Sequence, residues 1–126
     1  MFSVSILEDD ARYRDTLAGI LSAHRDAVLL AACATGEDAV RAFAARPPQI
    51  AIIDLQLPGI NGIEAFKQIR ADAKTAKVPV VALTASVTPT DRSAITAAGF
   101  DAFVSKPINL KEFLETVKRL VEGAKK

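Results

Sequence analysis

The 126-residue sequence has no tryptophan and only one each of tyrosine, histidine, methionine and cysteine. A single thiol, Cys33, cannot close an internal disulfide, which points to a reducing, cytosolic setting rather than a secreted scaffold. No apolar run approaches the about 18 residues that a membrane helix requires. The opening MFSVSILEDD lacks a basic segment and a small-residue cleavage site, so it does not read as a signal peptide. An excess of charge of one sign is also lacking: 16 Lys and Arg against 15 Asp and Glu leave a formal charge of +1. That balance excludes a strongly basic nucleic-acid footprint and an acidic disordered tail. Repeats, low-complexity stretches and linkers are missing too. Only the closing EGAKK reads as a short frayed tail.

What is present is apolar. Half of the residues are hydrophobic, enough for a sizeable core in one compact domain spanning residues 1–126. Cys33 lies inside AVLLAACA and reads as a small buried hydrophobe.

Strand-like and helix-like segments alternate along the chain. FSVSIL (2–7) is a short β-rich run. A helix over 11–25 places Tyr13, Leu17, Ile20, Leu21 and His24 on one face. AVLLAACA (27–34) is a second strand. Thr35 is placed to cap the next helix, GEDAVRAFAAR, whose first turn carries Glu37 and Asp38; Pro47 and Pro48 end it. IAIID (50–54) is a third strand, and Asn61 is placed to cap a helix over 62–73. VPVVALT (78–84) is a fourth strand, and a short helix over 90–98 stops at Gly99, a natural C-cap. DAFVS (101–105) is a fifth strand. The last helix, 109–122, carries Leu110, Phe113, Leu114, Val117, Leu120 and Val121 at helical spacing. Five strands and five helices in strict alternation imply an α/β fold: a doubly wound parallel sheet with helices on both faces. Sites in such sheets form at the carboxyl ends of the strands, near the point where strand order reverses.

Those ends are polar. The first strand ends in Glu8-Asp9-Asp10, the third in Asp54, the fourth in Thr84 and Ser86, and the fifth in Lys106-Pro107. Each alone has a plain structural explanation. Glu8 to Asp10 can cap a helix, Asp54 can cap a turn, Thr84 can be an ordinary strand residue and Lys106 a surface charge. Their joint placement is harder to obtain by accident. Neighbouring carboxylates repel one another, and a divalent cation removes that repulsion. Mg²⁺ is usually held by one or two carboxylates together with phosphate oxygens and waters. A carboxylate can attack phosphorus to give an aspartyl phosphate, and a lysine ammonium is a point charge suited to a phosphoryl oxygen. The set therefore reads as a metal-dependent phosphoryl acceptor with Asp54 as nucleophile.

At this point the chain resembles a known family, the receiver domains of bacterial two-component response regulators. The resemblance is carried by ILEDD, IIDLQLPGINGIE, VPVVALTA and AFVSKPINLKEF, and by the spacing from Asp54 to Thr84 to Lys106. It covers nearly the whole chain. It implies a flavodoxin-like (βα)5 fold with Asp54 as phosphoacceptor. Glu8 and Asp9 match the acidic pair that, together with Asp54 itself, holds Mg²⁺ (or Mn²⁺), and the Gln56 backbone carbonyl matches a further ligand. Thr84 matches the switch hydroxyl, Ala85 the small residue beside it, Phe103 the aromatic switch position and Lys106 the phosphate-pairing lysine. Gln56 and Ser86 match positions that tune dephosphorylation, and Pro107 follows a bond similar to one that is cis in the family.

The resemblance further implies a cytoplasmic signalling domain that takes part only in its own phosphorylation and dephosphorylation. Its partners would be a sensor histidine kinase or histidine phosphotransfer protein and a downstream protein target, with neither nucleic acid nor membrane bound by this chain. A phosphorylation-dependent homodimer is compatible with it. The last helix is followed by only a few residues, which favours a stand-alone protein without an output domain. Two other readings compete. A receiver-fold interaction module would work without phosphorylation, against which the complete acceptor set argues. A phosphohydrolase of the haloacid dehalogenase type would want a second aspartate where Gln56 stands, and would need room for a cap domain.

Overall fold

The computed structural model describes residues 2–24, 27–55, 62–84, 89–105 and 110–124. Ten elements alternate along them: β1 (Phe2–Leu7), α1 (Ala11–Ala23), β2 (Ala27–Cys33), α2 (Gly36–Ala45), β3 (Ile50–Asp54), α3 (Gly62–Ala71), β4 (Val80–Thr84), α4 (Pro89–Ala98), β5 (Ala102–Ser105) and α5 (Leu110–Ala124). The strands form one parallel sheet in the order β2-β1-β3-β4-β5. The expected doubly wound α/β architecture is therefore present. The chain steps outward from β1 to β2 and then crosses back over β1 to β3. The strand order reverses between β1 and β3, and their carboxyl ends flank the crevice where such sheets bind ligands.

The apolar runs exist because both sheet faces are covered. On one face, Val4, Ile6, Ile50, Ile52, Val81, Leu83 and Val104 pack with Leu17 and Leu21 of α1 and Phe113, Val117 and Val121 of α5. On the other, Leu7, Ala51, Ile53, Val80 and Ala82 pack with Phe43 of α2, Phe66 and Ile69 of α3, Ile95 of α4 and Phe100. Ile50 and Ile52 thus face one core, and Ala51 and Ile53 the other. Each fully buried isoleucine contributes about 1.5–3 kcal/mol, so a one-residue slip of β3 is strongly disfavoured.

Local chemistry sets the boundaries. Asp10 caps α1 by accepting from the Arg12 N–H at 2.9 Å. Thr35 caps α2 by accepting from the Asp38 N–H at 3.2 Å. Gly99 ends α4 with φ +103°, a conformation open to glycine. Some limits differ from those read off the sequence. β4 begins at Val80 rather than Val78, because Pro79 has no N–H to give and the Val78 N–H turns back to the Thr75 carbonyl. β5 begins at Ala102, since the Asp101 carboxylate accepts from the Val80 N–H at 2.8 Å and acts as a side-chain cap. α1 ends at Ala23 and α3 at Ala71, where the Asp72 and Thr75 N–H groups bond backward in turns. α5 runs on to Ala124, so the first part of the expected frayed tail is helical. Cys33 is half-buried, not buried, because β2 is an edge strand.

At the amino ends of β4 and β5, Arg70 lies over the Phe66 ring at 4.9 Å, and Phe66 stacks on Phe100. Arg70 also pairs with Asp101 at 3.0 Å and donates to the Val78 carbonyl. This clamp fixes α3 to the lower edge of the sheet and leaves the upper edge to the polar residues.

Candidate metal centre

Three of those polar residues meet. β1 and β3 pair up to Leu7 opposite Ile53, so the next residues, Glu8 and Asp54, emerge side by side at the switch point. Oxygens of Glu8, Asp9 and Asp54 all lie within 4.8 Å of one another. Asp9 is exposed, whereas Glu8 and Asp54 are only 0% and 1% accessible. Two buried carboxylates at this separation repel strongly and lose hydration, so the arrangement calls for positive charge. The donors are all carboxylate oxygens, with no imidazole or thiolate in the set. That chemistry suits a hard cation such as Mg²⁺ or Mn²⁺ rather than zinc. The residues present fit the ion.

Glu8 is held from several sides. Its N–H donates to the Cys33 carbonyl of β2 at 2.9 Å. Its Oε1 accepts from the Asp10 N–H at 3.2 Å. Its carbonyl accepts from Arg14 of α1 at 2.9 Å, and the same guanidinium nitrogen reaches the Asp9 carbonyl at 3.4 Å. Cys33 itself is half-buried beside this turn. Burial chiefly, and the Asp38 charge next, push its thiol above the ordinary range, while Arg14 pulls it down.

Asp54 is set from the β3 side. β4 is paired to β3 through Asp54 opposite Leu83, and the Leu55 N–H donates to the Leu83 carbonyl at 3.0 Å. The start of α3 then closes over the strand end: the Gly62 N–H donates to the Leu55 carbonyl at 3.3 Å. A Cβ at Gly62 would overlap the Asp54 carbonyl oxygen and come within 2.6 Å of the Leu55 Cα. Only glycine allows this approach.

Thr84 ends β4 in a buried position, opposite Ser105 of β5. Phe103 is half-buried on β5, packed beside the α2–α3 core and opposite Ala82. Gln56, Asn61, Ala85, Ser86, Lys106 and Pro107 lie outside the described residues. The sequence reading thus named the three carboxylates that meet and the threonine on the adjoining strand. It assigned no part in the site to Arg14 or Gly62.

Comparison with known proteins decides the family: the profile of the response regulator receiver domain matches residues 4–118. The chain belongs to the response regulator receiver domain family. Receiver domains act in two-component phosphorelay signalling and bind Mg²⁺ at an acidic pocket. The polar-differentiation response regulator DivK of Brucella ovis is 35% identical over 77 residues, covering 61% of this chain and 63% of DivK. The match therefore spans just under two thirds of that relative's length. A putative response regulator from Chloroflexus aurantiacus superposes with a TM-score of 0.88 at 26% identity, over 96% of this chain and 98% of that one. The receiver domain of a sensor histidine kinase from Pseudomonas aeruginosa, with a magnesium ion coordinated in its active site cleft, gives a TM-score of 0.86 at 25% identity. It covers 96% of this receiver and 98% of that chain. Among the described residues no helix is long and apolar enough to cross a membrane.

Proposed function

We propose that this receiver accepts a phosphoryl group on Asp54 from the phosphohistidine of a sensor histidine kinase or a histidine phosphotransfer protein. The observation that carries the proposal is the meeting of Asp54 with Glu8 and Asp9 at the β1/β3 switch point. Asp54 attacks phosphorus through one carboxylate oxygen. A new P–O bond forms, the P–N bond breaks, and the imidazole leaves with its electron pair and takes a proton from solvent. Glu8, Asp9, Asp54 and the Gln56 carbonyl would hold the divalent ion. When bound, Mg²⁺ or Mn²⁺ offsets the negative charge of the carboxylates and of the phosphoryl oxygens. Lys106 supplies the second positive charge, and the Thr84 hydroxyl donates to another phosphoryl oxygen.

The switch follows from the same contacts. Movement of Thr84 towards the phosphoryl group biases the Phe103 side chain and the α4–β5–α5 surface between two states. A downstream protein, or a second copy of the chain, reads one of them. Gln56 and Ser86 set how readily water reaches the acyl phosphate. The chain acts as one cytoplasmic signalling domain over residues 1–126, promoting only its own phosphorylation and dephosphorylation.

The test is intact mass after incubation with acetyl phosphate and Mg²⁺. Wild type gains one phosphoryl group, Asp54→Ala gains none, and chelation of Mg²⁺ abolishes the gain in wild type. A group retained by Asp54→Ala contradicts the assignment.

A further inference from the structure

We infer that Arg14 is a positioning residue for the divalent-cation site: it sets cation affinity by holding the backbone from which Glu8 and Asp9 project. This rests on the metal-centre reading above. Arg14 lies four residues beyond the helix cap, and its own N–H donates to the Asp10 carbonyl at 2.9 Å. That bond makes Arg14 part of the first turn of α1. Its Nη1 then donates to the Glu8 carbonyl at 2.9 Å and reaches the Asp9 carbonyl at 3.4 Å.

The choice of acceptors matters. Peptide oxygens, not the carboxylates, take the guanidinium, so Arg14 does not itself compete with a cation for the carboxylate oxygens. A salt bridge from the same residue to Glu8 or Asp9 would compete for those oxygens. The Glu8 peptide is meanwhile tied on its other side to the Cys33 carbonyl. The turn is therefore anchored to β2 through its N–H and to α1 through its C=O. Outer groups that orient ligands contribute strongly to metal affinity.

Arg14 also brings a positive charge near the site, and this opposes cation binding. The two effects have opposite signs, so experiment separates them. Removing Arg14 weakens binding if positioning dominates and tightens it if charge dominates. Arg12 is the internal control: it carries the same charge, is exposed, and lies 3.8 Å from the Asp10 carboxylate without touching Glu8 or Asp9.

The experiment is titration calorimetry with MgCl₂ on the unphosphorylated full chain, for wild type, Arg14→Met, Arg14→Lys and Arg12→Met. Removal of a ligand-orienting group predicts a Kd raised about tenfold in Arg14→Met. In Arg14→Lys, which keeps the charge but loses the forked donor, a smaller rise is expected. Arg12→Met binds as wild type or slightly more tightly. Equal or tighter binding by Arg14→Met, with wild type binding normally, overturns the inference and leaves the metal centre standing. Absence of binding by wild type overturns both. If circular dichroism shows Arg14→Met to be unfolded, Arg14→Lys decides: a Kd raised threefold or more supports the inference, and an unchanged Kd overturns it.

Discussion

The residue that raises the sharpest physical question is Glu8. Its side chain is inaccessible and lies within reach of a second buried carboxylate, Asp54. Two such charges persist in a folded protein when something repays their desolvation, and the divalent cation proposed above would supply it. Ser5, three residues earlier on β1, is a contrasting case. Its hydroxyl is fully buried and has no hydrogen-bond partner among the described residues. It stands opposite Ala31 and Ala51 on the neighbouring strands, just past a bulge between Val4 and Ser5. Replacing a buried donor that has no partner leaves nothing else unsatisfied. Ser5→Ala is therefore expected to stabilise the domain by about 1 kcal/mol, read as a higher midpoint in urea unfolding. A loss of similar size would mean that the hydroxyl has work the structure does not reveal. The sequence announced Glu8 and Asp54, since acids that end apolar runs are conspicuous. It could not announce Ser5 or Arg14: the cost of the first and the contacts of the second depend on which strand and helix lie alongside.

At the scale of the elements, the site depends on how abruptly β3 gives way to α3. β3 was legible to the residue, because IAIID is apolar to Ile53 and then stops. The limits of β4 and β5 were less so. Whether Pro79 belongs to a strand is decided by hydrogen bonds across the sheet, and whether Asp101 does is decided by its side chain capping Val80. Gly62 was visible only as the start of a helix. Its contact with the Asp54 carbonyl is a matter of tertiary approach, to which composition gives no clue. The element-scale prediction follows. Gly62→Ala cannot be accommodated without moving either α3 or the end of β3, and is expected to destabilise the domain by about 2 kcal/mol or more. It should also slow phosphorylation by acetyl phosphate, because the displaced backbone is that of Asp54. Thermal melting and the time course of intact mass check the two parts.

For the whole molecule, the order β2-β1-β3-β4-β5 matters most. Alternation of elements in the sequence implied a doubly wound sheet, and the observed order brings Glu8 and Asp54 to neighbouring strands. A site made of residues far apart in sequence links metal binding to global folding, since the unfolded chain does not assemble it. At about a hundredfold excess over Kd, Mg²⁺ is expected to add about 2.7 kcal/mol of stability. For a domain of this size that is a rise in Tm of about 8 °C. Glu8→Gln with Asp9→Asn should abolish the rise. In the absence of Mg²⁺ the same double variant should melt at or above wild type, because repulsion with Asp54 is relieved. An undiminished Mg²⁺ response in the variant would place the ion elsewhere.

The central claim, that Asp54 is the phosphoacceptor, is tested most directly by locating the acyl phosphate itself. After incubation with acetyl phosphate and Mg²⁺, borohydride reduces an aspartyl phosphate to homoserine, and peptide mass spectrometry finds where that residue stands. Homoserine at position 54 is the predicted result. Homoserine at Glu8's neighbour Asp9 or at Asp10, with Asp54 intact, would contradict the account.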